Sequence, residues 1–318
     1  MQVGGQAVIE GVMMRAPGMV ATAVRRPDGS IAVRKDPHVM LGEKYRVFKL
    51  PVLRGAAGLI EMLVIGLRTL NYSAEIAMGA VARGETRGES SPGSSARDNI
   101  RLAFTLTVAL CAGVALFFLT PLLLTTIFFR VEQQPLAFNL IAGGFRLVFF
   151  MGYLLAISRL KDVRRLFEYH GAEHKAVFAF EGGGALGLDA AACQSRFHPR
   201  CGTSFLLVVM LAGILLFGVL DAAVIALHGE VTLLLRIATH IPLIPVLGGI
   251  SYEFIRVSAR NSDTLIGRII VAPGLWLQKI TTREPDASEL EVALAALRAA
   301  LGIEVPEAIP AARKAAAI

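Results

Sequence analysis

Four long apolar runs dominate the chain, at roughly 102–129, 136–158, 204–228 and 231–255. Each reaches the ~20 residues that an α-helix needs to cross the hydrocarbon of a bilayer. Pro242 and Pro245, followed by Gly248 and Gly249, are expected to kink or break the fourth. Ahead of these runs, residues 1–50 have a strand-like pattern. Ala7 to Arg15 reads as a strand or a tight turn-strand. Thr22–Arg26, then Pro27-Asp28-Gly29-Ser30, then Ile31–Lys35 reads as a hairpin around a Pro-Asp-Gly turn. Both arms carry Arg or Lys, so at least one face is expected to be wet. Residues 51–82 open on Pro51, a favoured first helical residue, and carry Arg54, Glu61, Arg68 and Glu75 at a spacing of seven. These four form one polar stripe on an otherwise apolar helix. The pattern predicts an amphipathic helix lying on a membrane or packed against the bundle.

Between this helix and the first run, 83–101 is a polar, Gly/Ser-rich linker. After the fourth run, 256–283 is apolar but short, and Pro273-Gly274 interrupts it. An interfacial or re-entrant segment is predicted there, with Trp276 at the headgroup level. The last segment is 284–318. In it Asp286-Ala287-Ser288-Glu289 resembles a capping box, Leu290 to Leu301 a short amphipathic helix, and the Pro/Ala-rich end after Gly302 is expected to fray. The whole pattern predicts a mainly α, polytopic membrane protein. It has about four transmembrane helices in two pairs, 102–158 and 204–255, a small β-rich N-terminal segment, and a polar segment, 159–203, between the pairs.

Composition agrees. The chain is 54% hydrophobic and 18% charged, whereas a soluble domain carries about a quarter charged residues. The net charge of +7 comes with no basic stripe interleaved with aromatics, so nucleic acid is not an expected partner and the excess reads as membrane-flanking charge. Arg159, Lys161, Arg164, Arg165, Lys175, Arg196 and Arg200 fall in 159–203, whereas the links at 130–135 and 229–230 hold only Arg130. The positive-inside rule then predicts that both termini and 159–203 lie in the cytoplasm. The N-terminus shows no signal-peptide pattern. Cys111 reads as packing within an apolar run, and Cys193 and Cys201 are able to form at most one disulfide. Lipid is the expected partner, and a homo-oligomer is compatible with the sequence.

The chemistry sits between the two pairs of spans. Glu168-Tyr169-His170-Gly171-Ala172-Glu173-His174-Lys175 sets two imidazoles four residues apart, on one face if helical. His170-x-x-Glu173-His174 inverts the zinc-protease pattern. Two neutral imidazoles suit a borderline-soft metal, and the carboxylate between them is placed to accept a proton from water. Alone the motif is short and equally describes a solvated helix face. His198-Pro199-Arg200-Cys201-Gly202 then has the shape of a zinc knuckle with His in the first place. His170, His174, His198 and Cys201 together offer an N/S set for tetrahedral Zn²⁺. Four protein ligands would make a structural site, whereas three with Glu173 as general base would make a catalytic one. A third arrangement uses Glu253 as ligand. A plain turn with a buried thiol is the simpler reading of His198 and Cys201. Any metal bound by such ligands should be lost in acid. Glu181 to Gly187 lacks the Lys-Ser/Thr of a P-loop and reads as a flexible loop. Within the spans lie Arg146, Asp221, Arg236 and His240. Arg146 is expected to pair with Asp221, as an interhelical clamp or as part of a proton or ion path.

Several blocks resemble signatures of the YqhQ-like family, bacterial membrane proteins of unassigned function. They are Gly4 to Arg15, Glu168 to Lys175, His198 to Phe205, Ser251-Tyr252-Glu253 and Pro273 to Pro285. The resemblance runs from about residue 2 to 300. It implies no substrate. A label of predicted metal-dependent enzyme attaches to the family through His/Cys/Glu motifs like these. It also marks Glu10 and Arg15 as candidate site-facing residues. The leading reading is thus a membrane protein with a cytosol-facing zinc site, a metal-dependent hydrolase if catalytic. A non-enzymatic scaffold or assembly factor, stapled by metal or hydrogen bonds, competes with it, and a transporter is third.

Overall fold

The computed structural model describes residues 3–79, 96–183, 186–260 and 264–303. The expected linker lies outside the described residues up to position 95, as do 184–185 of the glycine loop and the tail from 304. The N-terminal residues form an antiparallel meander in the order β1 (Gly4–Val8), β2 (Gly11–Ala16), β3 (Met19–Arg25) and β4 (Ile31–Pro37). The predicted hairpin is β3–β4, and Asp28 closes its turn by accepting from the Ser30 amide at 2.8 Å. Ala7 to Arg15 is not one strand. It reverses at Ile9-Glu10, where Glu10 takes a left-handed φ of 51°, so that Val8 pairs with Gly11.

The sheet has no wet face at its centre. Val8, Met13 and Val20 pack on Ile65 of α2 (Leu53–Ala77), whereas Val12, Met14, Ala21 and Ala23 face the opposite way into a second core. A strand buried on both faces loses its polar alternation. The basic residues collect instead at strand ends and on the edge strand β4. Arg25 bonds the Ser288 carbonyl and Glu291, and Arg34 pairs with Asp36 and lies over the Tyr72 ring. A short helix, α1 (Leu41–Lys44), and a 3-10 turn, Arg46–Lys49, lead into α2. The predicted polar stripe of α2 begins by facing protein. Arg54 meets Glu253, and Glu61 accepts from the Leu41 amide and lies 2.8 Å from His38 Nε2. Arg68 is exposed, and Ile60, Leu63, Val64 and Leu70 form an outward apolar face.

Among the described residues, four helical segments are long and apolar enough to cross a membrane: Thr107–Phe128, Pro135–Ile157, Gly202–His228 and Leu233–Ser258. The first is built of α3 (Ala96–Val114), a π-helical turn at Ala115–Leu119 and α4 (Thr120–Phe128). The second is α5 (Pro135–Ile157). Then come α6 (Lys161–Glu181) and α7 (Leu188–Ala192), outside the apolar segments, and the last two spans, α8 (Gly202–His228) and α9 (Leu233–Arg260). Phe118, Leu122, Phe138, Ala142, Phe217 and Leu247 form the core of this bundle.

Neither of the two proline-interrupted stretches breaks its helix. The fourth span continues through Pro242 and Pro245, as transmembrane helices do when the alternative is unbonded backbone in lipid. Pro273-Gly274 lies inside α10 (Leu265–Thr281), which is one uninterrupted helix. Gly274 serves close packing there: a Cβ would sit 2.6 Å from the Ser204 side chain of α8. Leu277 is fully buried with Leu154 and Leu207, while Trp276 stays exposed.

The predicted capping box opens α11 (Ala287–Ala300) with Asp286 and Glu289 bonding each other's amides. The helix itself is not amphipathic. Val292, Ala293, Leu294, Ala295, Ala296 and Leu297 are all buried, because α11 is inserted between the sheet and α6. Its small side chains allow contact on every side. The core it completes draws on residues 3–23, 169–191 and 290–300.

Asp221 does not take Arg146 as its partner. Its Oδ2 accepts from Arg236 Nε at 2.8 Å and Asn139 Nδ2 at 2.7 Å, and its Oδ1 lies 3.0 Å from His240 Nε2. These bonds use both carboxylate oxygens and clamp α5, α8 and α9 together. Arg236 also donates to the Glu132 carbonyl and covers the Phe138 ring. Arg146 lies between the rings of Phe118 and Phe217, at 5.4 and 5.7 Å.

Candidate functional site

The His motif lies on α6, and the helix repeat places His170, Glu173 and His174 on the side facing β1 and the 193–203 turn. Gly5 of β1 lies against Glu173, where a Cβ would come within 2.7 Å of the Glu173 Cγ. The chain leaving α10 crosses α6 at Gly171, where a Cβ would meet the Arg283 carbonyl at 2.0 Å. That close approach lets one main-chain and one side-chain bond form: Arg283 N–H donates to the Phe167 carbonyl, and His170 Nδ1 donates to the Thr281 carbonyl at 2.8 Å. One turn on, His174 Nδ1 donates to the Arg196 carbonyl at 2.5 Å. Each ring therefore carries its proton on Nδ1 and turns Nε2 the other way. A carbonyl behind the ring is the usual way a protein orients a metal-binding imidazole.

Cys201 is the residue just before α8 and is buried. Its Sγ lies 3.3 Å from His170 Nε2 and 3.1 Å from Thr203 Oγ1. One donor atom each of His170, His174 and Cys201 lies within 4.8 Å of the others. Burial disfavours charge on both His170 and Cys201, but each partner outweighs it. The imidazoles of His170 and His174 hold the Cys201 thiol well below its usual pKa, and Cys201 and Glu173 push His170 up to about 9. Glu173 is buried, with Oε2 at 3.5 Å from His174 Nε2. A cavity of about 190 Å³ opens against this face, walled by the start of β1, Arg15, Met62 and Arg200. Arg15 thus faces the site, as its place in the opening signature suggests, and its Nη1 lies 3.3 Å from Met62 Sδ.

Three candidates fall elsewhere. His198 is beside the cluster, its ring centroid 5.7 Å from that of His174, but both of its nitrogens are taken up locally. Nδ1 accepts from the Arg200 amide at 3.2 Å, and Nε2 lies 3.4 Å from Glu181. Burial, with His174 nearby, lowers its pKa to about 4, so it is neutral. Glu253 is not in the cluster at all, because Arg54 of α2 holds its carboxylate with two N–H donors. Glu10 turns to the far side of α6, where Arg165 binds it through two N–H groups and the Tyr169 hydroxyl lies 3.3 Å away. Cys193 and Cys201 are both free thiols, not a disulfide.

The sequence reading missed the residue that shapes the knuckle-like turn. Gln278 of α10 is fully buried. Its Oε1 accepts from the His198 amide at 2.7 Å, while its Nε2 donates to the His198 carbonyl at 2.8 Å and to Ser204 Oγ at 3.0 Å. A lone amide inside the apolar stretch Leu275–Ile280 was the available signal, since such a group is buried only when bonded. Lys175 was also passed over; it bonds the Ala192 carbonyl and Glu284, tying α6 to both strands of the turn region.

Comparison with known proteins agrees with the signatures read from the sequence. The family described as "Protein of unknown function (DUF1385)" matches residues 50–303. Over 302 residues the chain is 32% identical to the Bacillus subtilis (strain 168) protein named "Uncharacterized protein YqhQ", covering 95% of this chain and 92% of that one. No solved structure matches it. The matched span takes in α2, all four apolar segments, both halves of the His/Cys cluster and α11, and the chain belongs to the DUF1385 family.

Proposed function

We propose that this protein is an inner-membrane, metal-dependent hydrolase whose zinc is held by His170, His174 and Cys201 on the cytosolic side. The observation that carries the reading is the orientation of the two imidazoles. Both Nδ1 protons are given to carbonyls behind the rings, so that two Nε2 atoms and one thiolate converge beside a cavity once His170 gives up the Nε2 proton it shares with Cys201. This donor set fits zinc, which favours three protein ligands and an open position in catalytic sites. When bound, zinc supplies Lewis-acid activation of water. Glu173, walled in by Gly5, is the group placed to take the proton, and Arg15 faces the same space to orient a polar substrate. His198 stays with Glu181 and leaves the fourth position open.

Metal analysis of the purified full chain tests this. The expected result is one zinc per chain, lost in His174→Ala and in Cys201→Ser. Zinc-free wild-type protein, purified without chelators and offered Zn²⁺, would refute the reading. Glu173→Gln is expected to keep its zinc and lose cellular function.

A structural staple is the second reading, favoured by the bonds from His170, His174 and Gln278 that tie the 193–203 turn to α6 and α10. It predicts instead that Glu173→Gln complements as wild type does. The orientation has its own test. Single cysteines near Gln133 and near Glu181 should label from opposite sides of the membrane, and labelling from one side would overturn the proposed topology.

A further inference from the structure

We propose that a second cavity, on the other side of α2, binds the headgroup of an anionic phospholipid. This cavity has a volume of about 370 Å³ and lies between the 40–49 segment, the first turns of α2 and the end of α9. Its size equals roughly a dozen waters at about 30 Å³ each, room for a phosphate and its glycerol. Three cations line it: Lys49, Arg54 and Arg256. The nearby carboxylates are already engaged. Glu253 is held by Arg54, and Glu61 by His38 and the Leu41 amide. Lys49 and Arg256 have no ion-pair partner among the described residues. Counted with Arg54, these cations outnumber the carboxylates three to two, Glu61 standing on the cavity wall and Glu253 being held by Arg54, and the Tyr252 side chain lines the same wall.

What surrounds the charges selects a lipid over a soluble phosphate. Val47, Leu50 and Leu53, close to Lys49 along the chain, are 51%, 54% and 43% exposed. Arg256 lies within the last turn of the apolar segment Leu233–Ser258, and the end of a span is where hydrocarbon gives way to headgroups. Cations in a recess with an apolar rim at that depth match a phosphate ester whose acyl chains run down the outer faces of α2 and α9. Basic recesses between helices at this level are sites for anionic headgroups. The close contact of α2 with α9, where Gly249 lies under the Val52 carbonyl, holds the two walls together. The site is independent of the His/Cys cluster, and its occupant would fix α2 to the bundle.

Native mass spectrometry of the full chain, with phosphatidylglycerol or phosphatidylcholine of identical acyl chains in the detergent, tests the proposal. Wild type is expected to retain one phosphatidylglycerol and no phosphatidylcholine. Lys49→Ala/Arg256→Ala should weaken that retention about thirtyfold, the effect of two interfacial cations at about 1 kcal/mol each. The charge-matched variant Arg159→Ala/Lys161→Ala should retain it as wild type does. Equal retention of both lipids by wild type would overturn the proposal even if the variants fail to fold. Equal loss in both double variants would reduce the effect to general surface charge and overturn it too. Full displacement of the lipid by millimolar inorganic phosphate would assign the cavity to a soluble anion instead.

Discussion

Asp221→Ala is expected to lower the stability of the detergent-purified protein by about 3–5 kcal/mol, read as a large fall in its melting temperature. The carboxylate is fully buried and accepts from Arg236 and Asn139 while facing His240. Removing it leaves a buried guanidinium without its counter-charge and frees three helices from one another. Arg236→Ala should cost less than Asp221→Ala, because His240 and Asn139 still bond the carboxylate. Arg146→Ala should cost less again, because that residue lies between Phe118 and Phe217 rather than on the carboxylate. Were Arg146→Ala the most damaging of the three, the direct Arg146–Asp221 pair would have to be reinstated. Lipid-facing controls such as Leu215→Ala, on an exposed side chain, should melt close to wild type.

Gly171→Ala is expected to be the most damaging single methyl group in the cytosol-proposed region. Its Cβ would lie 2.0 Å from the Arg283 carbonyl oxygen and 3.3 Å from Pro285 Cδ. The obstacle is main chain, so no side-chain rotation relieves it. Overpacking of this kind costs about 1–3 kcal/mol, and more where backbone must move. The displaced strap also carries the Thr281 carbonyl that orients His170. On the zinc site proposed above, the variant should therefore lose zinc affinity together with stability. Gly152→Ala, with nothing within 4 Å of its Cβ, should stay within about 0.5 kcal/mol of wild type. A Gly171→Ala protein that melts and binds zinc as wild type does would show that the strap does not press on α6 in this way.

The candidate site was half legible. His170 and His174 share a face because any helix repeat puts them there, and Cys201 could be picked out as the thiol of a tight, knuckle-like turn. Arg15 was legible as part of a signature and does face the cavity. The assignment of the remaining candidates was not. Glu253 has the right chemistry for a ligand and a plausible depth, but Arg54 is closer and carries two parallel donors. Glu10 stands in the same signature as Arg15, yet the reversal at Ile9-Glu10 points it to Arg165. Asp221 had two arginines within reach by depth alone, and only the rotation of α9 about its axis brings Arg236 and His240 to it. None of these choices leaves a mark in local spacing.

What the chain determines by itself is whatever depends on near neighbours or on a comparison with the bilayer. The four spans follow from run length against hydrocarbon thickness. The β3–β4 turn follows from Pro-Asp-Gly, the start of α11 from Asp286 and Glu289, and the common face of His170 and His174 from the helical repeat. Tertiary structure alone decided the rest. Pro273-Gly274 reads locally as a break, but packing on Ser204 makes the glycine a point of contact within a helix. α11 reads as an amphipathic helix, but the sheet and α6 close around it. The physical reason is the same in each case: a buried side chain takes the partner that packing brings to it, and that partner is often remote along the chain, 82 residues away for Asn139 and Asp221 and 199 for Arg54 and Glu253.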